Sequence, residues 1–248
     1  MINIFNKYNI NLTNINCKKA FTLAEVLITL GIIGVVAAMT LPNLIANYRS
    51  KVAITQLKKM YSVMSQALLF TVQRDGDYSS LSVIGDSLEN VESWYYDALK
   101  PYLKITQECF NKAGCWADTG TKLLNGGTPK YDSGNKGIGY GIVVFNTIDG
   151  YSVSVDTYRA GSDGEFWGAG IDSGAFIVIY VDINGKKLPN VIGKDTFAFV
   201  FSDRGFVPAG RNKSDEEINS DCSKNGQGYY CFEKIMRNGW EIDKENLW

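Results

Sequence analysis

Residues 18–49 read KKAFTLAEVLITLGIIGVVAAMTLPNLIANYR, and this stretch sets the architecture of the chain. From Phe21 to Leu41 it is long enough to cross a bilayer as a helix, at about 1.5 Å per residue against a hydrocarbon core of roughly 30 Å. It carries one charge, Glu25, and the sixteen residues after that carboxylate have none. A carboxylate inside such a segment is costly and usually marks a function. The stretch therefore predicts a transmembrane segment over 21–41.

The order of residues around Ala20 differs from that of an ordinary signal peptide, in which the cleavage site follows the apolar run. Here the small residue Ala20 precedes the run and comes directly after Lys19. This arrangement resembles the N-terminus of type IV pilins and type II secretion pseudopilins. The features that carry the resemblance are a basic leader, a small residue, Phe21, Glu25 four positions later, and Pro42 at the far end of the run. The family usually has Gly where this chain has Ala20.

The resemblance implies that a prepilin peptidase with a cytoplasmic active site cuts between Ala20 and Phe21. The leader, residues 1–20, would be removed and the new amine methylated. The uncut apolar segment would then anchor the protein and later enter a filament, with Glu25 and Pro42 as assembly residues. The implied partners are other pilin or pseudopilin subunits, the peptidase and an inner-membrane assembly platform. A plain N-terminal membrane anchor is the alternative.

The charge distribution bears on topology and on partners. The chain has 25 basic and 26 acidic residues and no long basic run, so nucleic acid is not a predicted partner. Lys7, Lys18 and Lys19 precede the apolar run, which by the positive-inside rule leaves residues 1–20 in the cytoplasm. We expect a single-pass protein of the bacterial inner membrane with its C-terminal domain outside, and later a filament in the periplasm or at the cell surface.

Four cysteines lie in the predicted exported part, as Cys109 with Cys115 and Cys222 with Cys231, whereas Cys17 lies in the leader. An even number of cysteines in an exported domain is typical of disulfides. Short loops close most readily, so we favour the two local pairs. A four-cysteine zinc site is the alternative, which the lack of a C-x-x-C pair and of any His disfavours.

The apolar pattern does not stop at Pro42. Apolar residues recur at spacings of three and four up to Leu68, which predicts one long helix over 21–73, apolar all round in its first half and amphipathic in its second. A second helix is predicted from Ser87 to Leu103. Residues 109–136 and 210–225 are polar and predict loops.

Four strands are predicted after the second helix. Ile142–Phe145 and Tyr151–Val155 flank Asp149-Gly150, which is a hairpin signal. Runs over 175–181 and 196–201 predict two more strands, and 229–237 a short helix. The expected fold is therefore α+β and pilin-like, with the long N-terminal helix packed on an antiparallel sheet in a globular domain over 74–248.

The stretch DINGKKLPNVIGKD, residues 182–195, is the candidate metal site. Asp182, Asn184 and Asp195 offer hard oxygen ligands, and Gly185 permits a sharp turn. The stretch loosely resembles the calcium-binding loop of pseudopilins. It is not an EF-hand, because its twelfth position is Gly193 rather than Glu. The alternative is an Asn-Gly turn in which Asp195 caps backbone amides. Calcium is the only cofactor that the sequence suggests.

The chain contains no His, which excludes Ser-His-Asp and Cys-His catalysis and zinc-protease motifs. The resemblance to pilins and pseudopilins implies a structural role, so we predict a non-catalytic filament subunit precursor, a minor pilin or a type II secretion pseudopilin, rather than an enzyme. The alternative is a binding module, a pilus-borne adhesin or DNA-uptake pilin that binds an extracellular ligand. Secretion, adhesion, motility and DNA uptake stay open at this point.

Overall fold

The structure is a computed structural model of the 248-residue chain that describes residues 21–76, 87–168, 170–171, 174–202 and 205–242. The leader with Cys17 and Ala20 lies outside the described residues. The chain divides into two units, Met1–Ala46 and Asn47–Trp248. Helix α1, Leu23–Asp75, begins in the first unit and ends in the second.

In the first unit, α1 is apolar and exposed over the predicted membrane segment, and it is long and apolar enough to cross a membrane. Pro42 lies within the helix. Two threonine hydroxyls bond to backbone oxygens four residues earlier, Thr29 to Glu25 at 2.9 Å and Thr40 to Val36 at 3.0 Å. Such internal bonds satisfy polar side chains where no water is present.

In the second unit, the second half of α1 buries one stripe against the sheet. Its buried apolar members recur at helical spacing and are Ala53, Leu57, Met60, Met64, Ala67 and Leu68. They join one core with the inner-face side chains of the central strands. The helix ends at Asp75, because Gly76 has a φ of 108° that side chains rarely adopt.

The sheet is antiparallel and its six strands are ordered as in the sequence. They are β1 Ile105–Phe110, β2 Val143–Thr147, β3 Ser152–Arg159, β4 Ala175–Asp182, β5 Thr196–Ser202 and β6 Gly205–Pro208. Successive residues of β4 and β5 point to opposite faces of the sheet, one toward the core that includes α1 and the other toward a second core. Both strands are therefore buried along almost their whole length. This confirms the predicted α+β class and the long N-terminal helix with an antiparallel sheet.

Among the described residues, the sheet is accompanied by four shorter helices: α2 Leu88–Trp94, α3 Ser162–Trp167, α4 Asp215–Asp221 and α5 Cys231–Arg237. Ser87 caps α2 by accepting a hydrogen bond from the Asn90 amide at 3.3 Å. After Trp94 the chain forms one π-helical turn and one 3-10 turn up to Tyr102. Pro101 cannot donate a backbone hydrogen bond there, so the predicted helix to Leu103 is not regular.

Several predicted loops and strand limits were wrong. Strand β1 occupies the start of the predicted loop 109–136, and α4 lies inside the predicted loop 210–225. Strand β6 and helix α3 were not predicted. β1 is an edge strand with three exposed polar residues in a row, and β6 ends in Pro208, so neither shows the apolar pattern of a central strand.

The packing of α1 on the sheet predicts a large cost for one truncation. Leu57→Ala removes a fully buried side chain, and we expect the free energy of unfolding to fall by about 2–5 kcal/mol. Thr55→Ala, on the exposed face of the same helix, is the matched control and should change it by less than about 0.5 kcal/mol. Chemical denaturation followed by tryptophan fluorescence measures both. Equal destabilisation by the two variants would contradict the packing described here.

Candidate functional site

The predicted processing residue Phe21 and the predicted assembly residue Glu25 lie at the start of α1. Phe21 and Thr22 precede the helix, and the Thr22 carbonyl accepts the first helical hydrogen bond, from the Val26 amide at 3.2 Å. The Glu25 amide donates to Thr22 Oγ1 at 3.2 Å. In return, Glu25 Oε2 accepts from the Thr22 amide and from the Thr22 hydroxyl, both at 2.8 Å. This reciprocal pattern is a capping box.

The capping box gives Glu25 a role within its own chain. Its carboxylate lies beside the amides of the first turn, where the partial positive charge of the helix end stabilises an anion. Thr22 was not among the residues predicted from the sequence, although T-x-x-E before an apolar run is the signature of such a cap. The carboxylate thus has a local hydrogen-bond partner in addition to any partner from another subunit.

The candidate metal residues meet at one end of the sheet. Asp182 ends β4 and Asp195 directly precedes β5, and both side chains are buried. The Asn184 side-chain amide donates to Asp195 Oδ2 at 3.0 Å, and the Asn184 backbone amide donates to Asp182 Oδ1 at 3.0 Å. The three predicted residues therefore belong to one cluster.

The cluster also caps the backbone of its own loop. Asp195 accepts from the Asn190 amide at 2.8 Å and from the Val191 amide at 2.7 Å, as the turn alternative expects. Asn190, which was not predicted from the sequence, also belongs to the cluster. With its amide nitrogen turned toward the acceptors around it, this side chain donates to Asp182 Oδ2 at 3.2 Å and to the Lys187 carbonyl at 2.8 Å.

The electrostatics of the cluster favour a positive partner. Burial, and after it the nearby charge of Asp195, raise the pKa of Asp182 to about 9. Burial also raises the pKa of Asp195, against the effect of its backbone hydrogen bonds. The Asn184 Oδ1 atom is buried and has no hydrogen-bond partner among the described residues. Groups of three or more His, Cys, Asp or Glu that could hold a metal do not occur in the part of the chain that the structure describes.

Two disulfides cross-link neighbouring segments of the globular unit. Cys109, on edge strand β1, is joined to Cys115, and Cys222, which follows α4, is joined to Cys231 at the start of α5. The expected two disulfides are present with the local pairing. One disulfide lies at β1 and the other directly after α4, and neither of these two elements was predicted from the sequence.

Comparisons with known families match two adjacent parts of the chain. Residues 15–41 match the prokaryotic N-terminal methylation motif, and residues 43–123 match a family of unknown function. No curated protein and no solved structure matches the chain. The chain therefore carries the prepilin motif of type IV pilins and pseudopilins. Its apolar N-terminal helix and this motif fit a pilin anchored in the inner membrane.

Proposed function

We propose that this chain is the precursor of a non-catalytic filament subunit, a minor pilin or a type II secretion pseudopilin. The proposal rests on the observation that two features occur in the same helix, α1. A methylation motif opens the helix, and the same helix continues into a half that is buried against its own sheet. A mere membrane anchor needs neither the carboxylate at the helix start nor this continuity.

The proposed life cycle assigns partners to each part of the chain. Prepilin peptidase removes residues 1–20, with the N-terminus cytoplasmic and the globular unit outside. An assembly platform then moves α1 from the bilayer into a filament, where apolar helices of neighbouring subunits pack together. Subunit assembly needs no acid–base chemistry, which agrees with a chain that has no His.

The test uses the full chain expressed in bacteria that carry either a type II secretion system or a type IV pilus, each lacking one minor subunit gene. We expect the protein in sheared filament fractions of one of the two hosts, together with restored secretion or piliation. The host that responds separates pseudopilin from pilin. Retention of all the protein in membranes of both hosts would overturn the proposal.

We further propose that calcium binds at the Asp182–Asp195 cluster. Two buried carboxylates and the unpartnered Asn184 Oδ1 supply the oxygen ligands that Ca²⁺ prefers, and a divalent cation would offset the repulsion between the two acids. The residues fit the ion in type and burial. Bound calcium would fix the β4–β5 connection, residues 183–195, on the sheet.

Calcium should therefore raise the thermal unfolding midpoint of the protein. At a calcium concentration about tenfold above the dissociation constant, linkage gives about 1.4 kcal/mol of added stability. Asp195→Asn should abolish the shift, whereas Asp149→Asn, in the β2–β3 turn, should retain it. Scanning calorimetry with millimolar Ca²⁺ or with chelator measures the effect. Identical melting curves under both conditions would reduce the loop to a hydrogen-bonded turn.

A further inference from the structure

A short loop on the globular unit, residues 130–140, presents an aromatic side chain, Tyr140, to solvent. Its ends are joined by a hydrogen bond from the Gly139 amide to the Tyr131 carbonyl at 2.8 Å. Tyr131 has a φ of 63°, in the left-handed region that is uncommon for a bulky residue. Strained residues of this kind persist where the surrounding structure over-determines them, and they cluster at binding sites.

The ring of Tyr131 links the exposed surface to the core. It lies 5.3 Å from the ring of Tyr140 on one side and 4.9 Å from the ring of buried Tyr158 on the other, between ring centroids. Its hydroxyl donates to Asp163 Oδ1 at 2.5 Å. Packing and this hydrogen bond together fix the orientation of the Tyr131 ring.

Tyr140 is held at the surface by a buried carboxylate. The side chain of Tyr140 is 71% exposed, while its backbone amide donates at 2.8 Å to Asp156, which is 1% exposed. The preceding residue, Gly139, has a φ of 135°, and a Cβ there would lie 2.2 Å from Ile142 Cγ2. No other residue fits this backbone, so the loop has a defined conformation that displays an aromatic ring to solvent.

A charged pair borders the rings. Lys130 Nζ lies 2.9 Å from Asp163 Oδ1, and it also lies 4.7 Å from the ring centroid of Tyr131 and 4.6 Å from that of Phe166. The ammonium and the carboxylate neutralise each other, so this pair adds no net charge beside the rings. We call Tyr131, Tyr140, Phe166 and the Lys130–Asp163 pair the aromatic platform.

We propose that the aromatic platform is a binding site for an uncharged saccharide. The negative face of an aromatic ring attracts the polarised C–H groups of a sugar ring, and the Tyr140 ring is open to such stacking. The Asp163 carboxylate accepts, and the Lys130 ammonium donates, hydrogen bonds to sugar hydroxyls beside it. Because the loop is already ordered, little conformational entropy is lost on binding. The site does not depend on the filament role, since a saccharide could be bound by the anchored monomer as well.

The test measures saccharide binding by the full chain in lipid nanodiscs, because alkyl-glycoside detergents would compete with their sugar headgroups. The probes are oligosaccharides of glucose, galactose, mannose and N-acetylglucosamine, with heparin fragments as the anionic comparison. We expect binding of at least one neutral probe, detected by saturation-transfer NMR on its C–H protons. Tyr140→Ala should weaken it about tenfold, while Tyr140→Phe, which keeps the ring, should bind within about twofold of the unaltered chain.

Tyr96 supplies the matched control, since its ring is 43% exposed and lies under Lys100 Nζ at 4.6 Å. Tyr96→Ala should leave saccharide binding unchanged. Because Tyr140 is exposed, Tyr140→Ala should also keep the thermal unfolding midpoint of the unaltered chain. Three results would overturn the proposal: no neutral probe binds at millimolar concentration, only heparin binds, or Tyr140→Ala binds as tightly as the unaltered chain.

Discussion

Glu25→Ala should leave processing and membrane insertion intact and lower incorporation into filaments by at least about tenfold. A lone charge in a membrane helix costs about 2.5–3.5 kcal/mol at the centre for the related Asp and less near the interface, where Glu25 lies. Alanine would insert better, and the capping box with Thr22 is a role that an uncharged side chain could also fill, so the charge itself points to a partner. After processing, the amine of Phe21 in a neighbouring subunit is the partner that the pilin resemblance implies.

The expected size of the effect follows from burial in the filament. Removing one member of a buried ion pair leaves the other charge unpaired, which costs about 3–5 kcal/mol. A tenfold change in an equilibrium corresponds to about 1.4 kcal/mol. Loss of even a partly hydrated ion pair is therefore enough to lower incorporation into filaments about tenfold. Sheared filament fractions from wild type and variant, compared at equal membrane levels, give the measurement.

The capping box requires a second variant, because Glu25→Ala also removes the cap on Thr22. Glu25→Gln keeps a side chain that can complete a capping box but has no charge. Thr22→Ala disrupts the cap and keeps the carboxylate. If pairing between subunits is the role of Glu25, the Gln variant behaves like the Ala variant and Thr22→Ala assembles nearly normally. The opposite ranking would assign Glu25 to helix capping and weaken the filament proposal.

The elements predicted from sequence are those whose apolar pattern is complete within a short window. Leu57, Met60 and Met64 recur at helical spacing, and β4 and β5 are mostly apolar runs rich in branched and aromatic residues. The missed strands depend on distant partners. β1 is polar on its exposed positions and becomes a strand through pairing with β2 and through the Cys109–Cys115 disulfide.

Helix α4 and the site residue Thr22, neither of which was predicted, carry the same local sequence signal. Ser214 and Glu217 form a capping box at the start of α4, as Thr22 and Glu25 do at the start of α1. Both follow the [ST]-x-x-E pattern, which marks a helix start even in a polar segment. Asn190, in contrast, has no such signal, since only folding of the 183–195 connection brings it to Asp182.

The aromatic platform lay beyond sequence reasoning for a related physical reason. Tyr131 and Tyr140 are nine positions apart in a segment that is polar and rich in glycine, which predicts a loop without a defined shape. The shape comes from Asp156 on β3 and Asp163 on α3, which hold the two tyrosines from elements distant in sequence. Residues that are conformationally fixed by remote side chains cannot be recognised from a local window.

Processing should remove residues 1–20 completely and leave Phe21 as a methylated N-terminus. On the C-terminal side of this bond, Phe21 and Thr22 are not helical and the helix begins only at Leu23. This side of the bond can therefore adopt the extended form that a peptidase active site binds. Cleavage also creates a positively charged amine at the N-terminal end of α1, where the helix already has a partial positive charge. The Glu25 carboxylate in the same turn offsets both of these positive charges.

Intact mass spectrometry of protein from cells with and without prepilin peptidase tests this prediction. We expect the mature mass, with one added methyl group, only in cells that contain the enzyme. Ala20→Arg, which places a long charged side chain beside the scissile bond, should reduce cleavage to a trace, whereas Ala20→Gly, the residue usual in pilins, should be cleaved at least as fast as the natural sequence. Two outcomes would contradict the proposal that the chain is processed as a pilin precursor. One is a protein that retains Met1 in the presence of the peptidase, and the other is a protein cut after Ala38, as by an ordinary signal peptidase. Because every later stage needs the free Phe21 amine beside Glu25, a failure here would also remove the basis for the assembly role of that carboxylate.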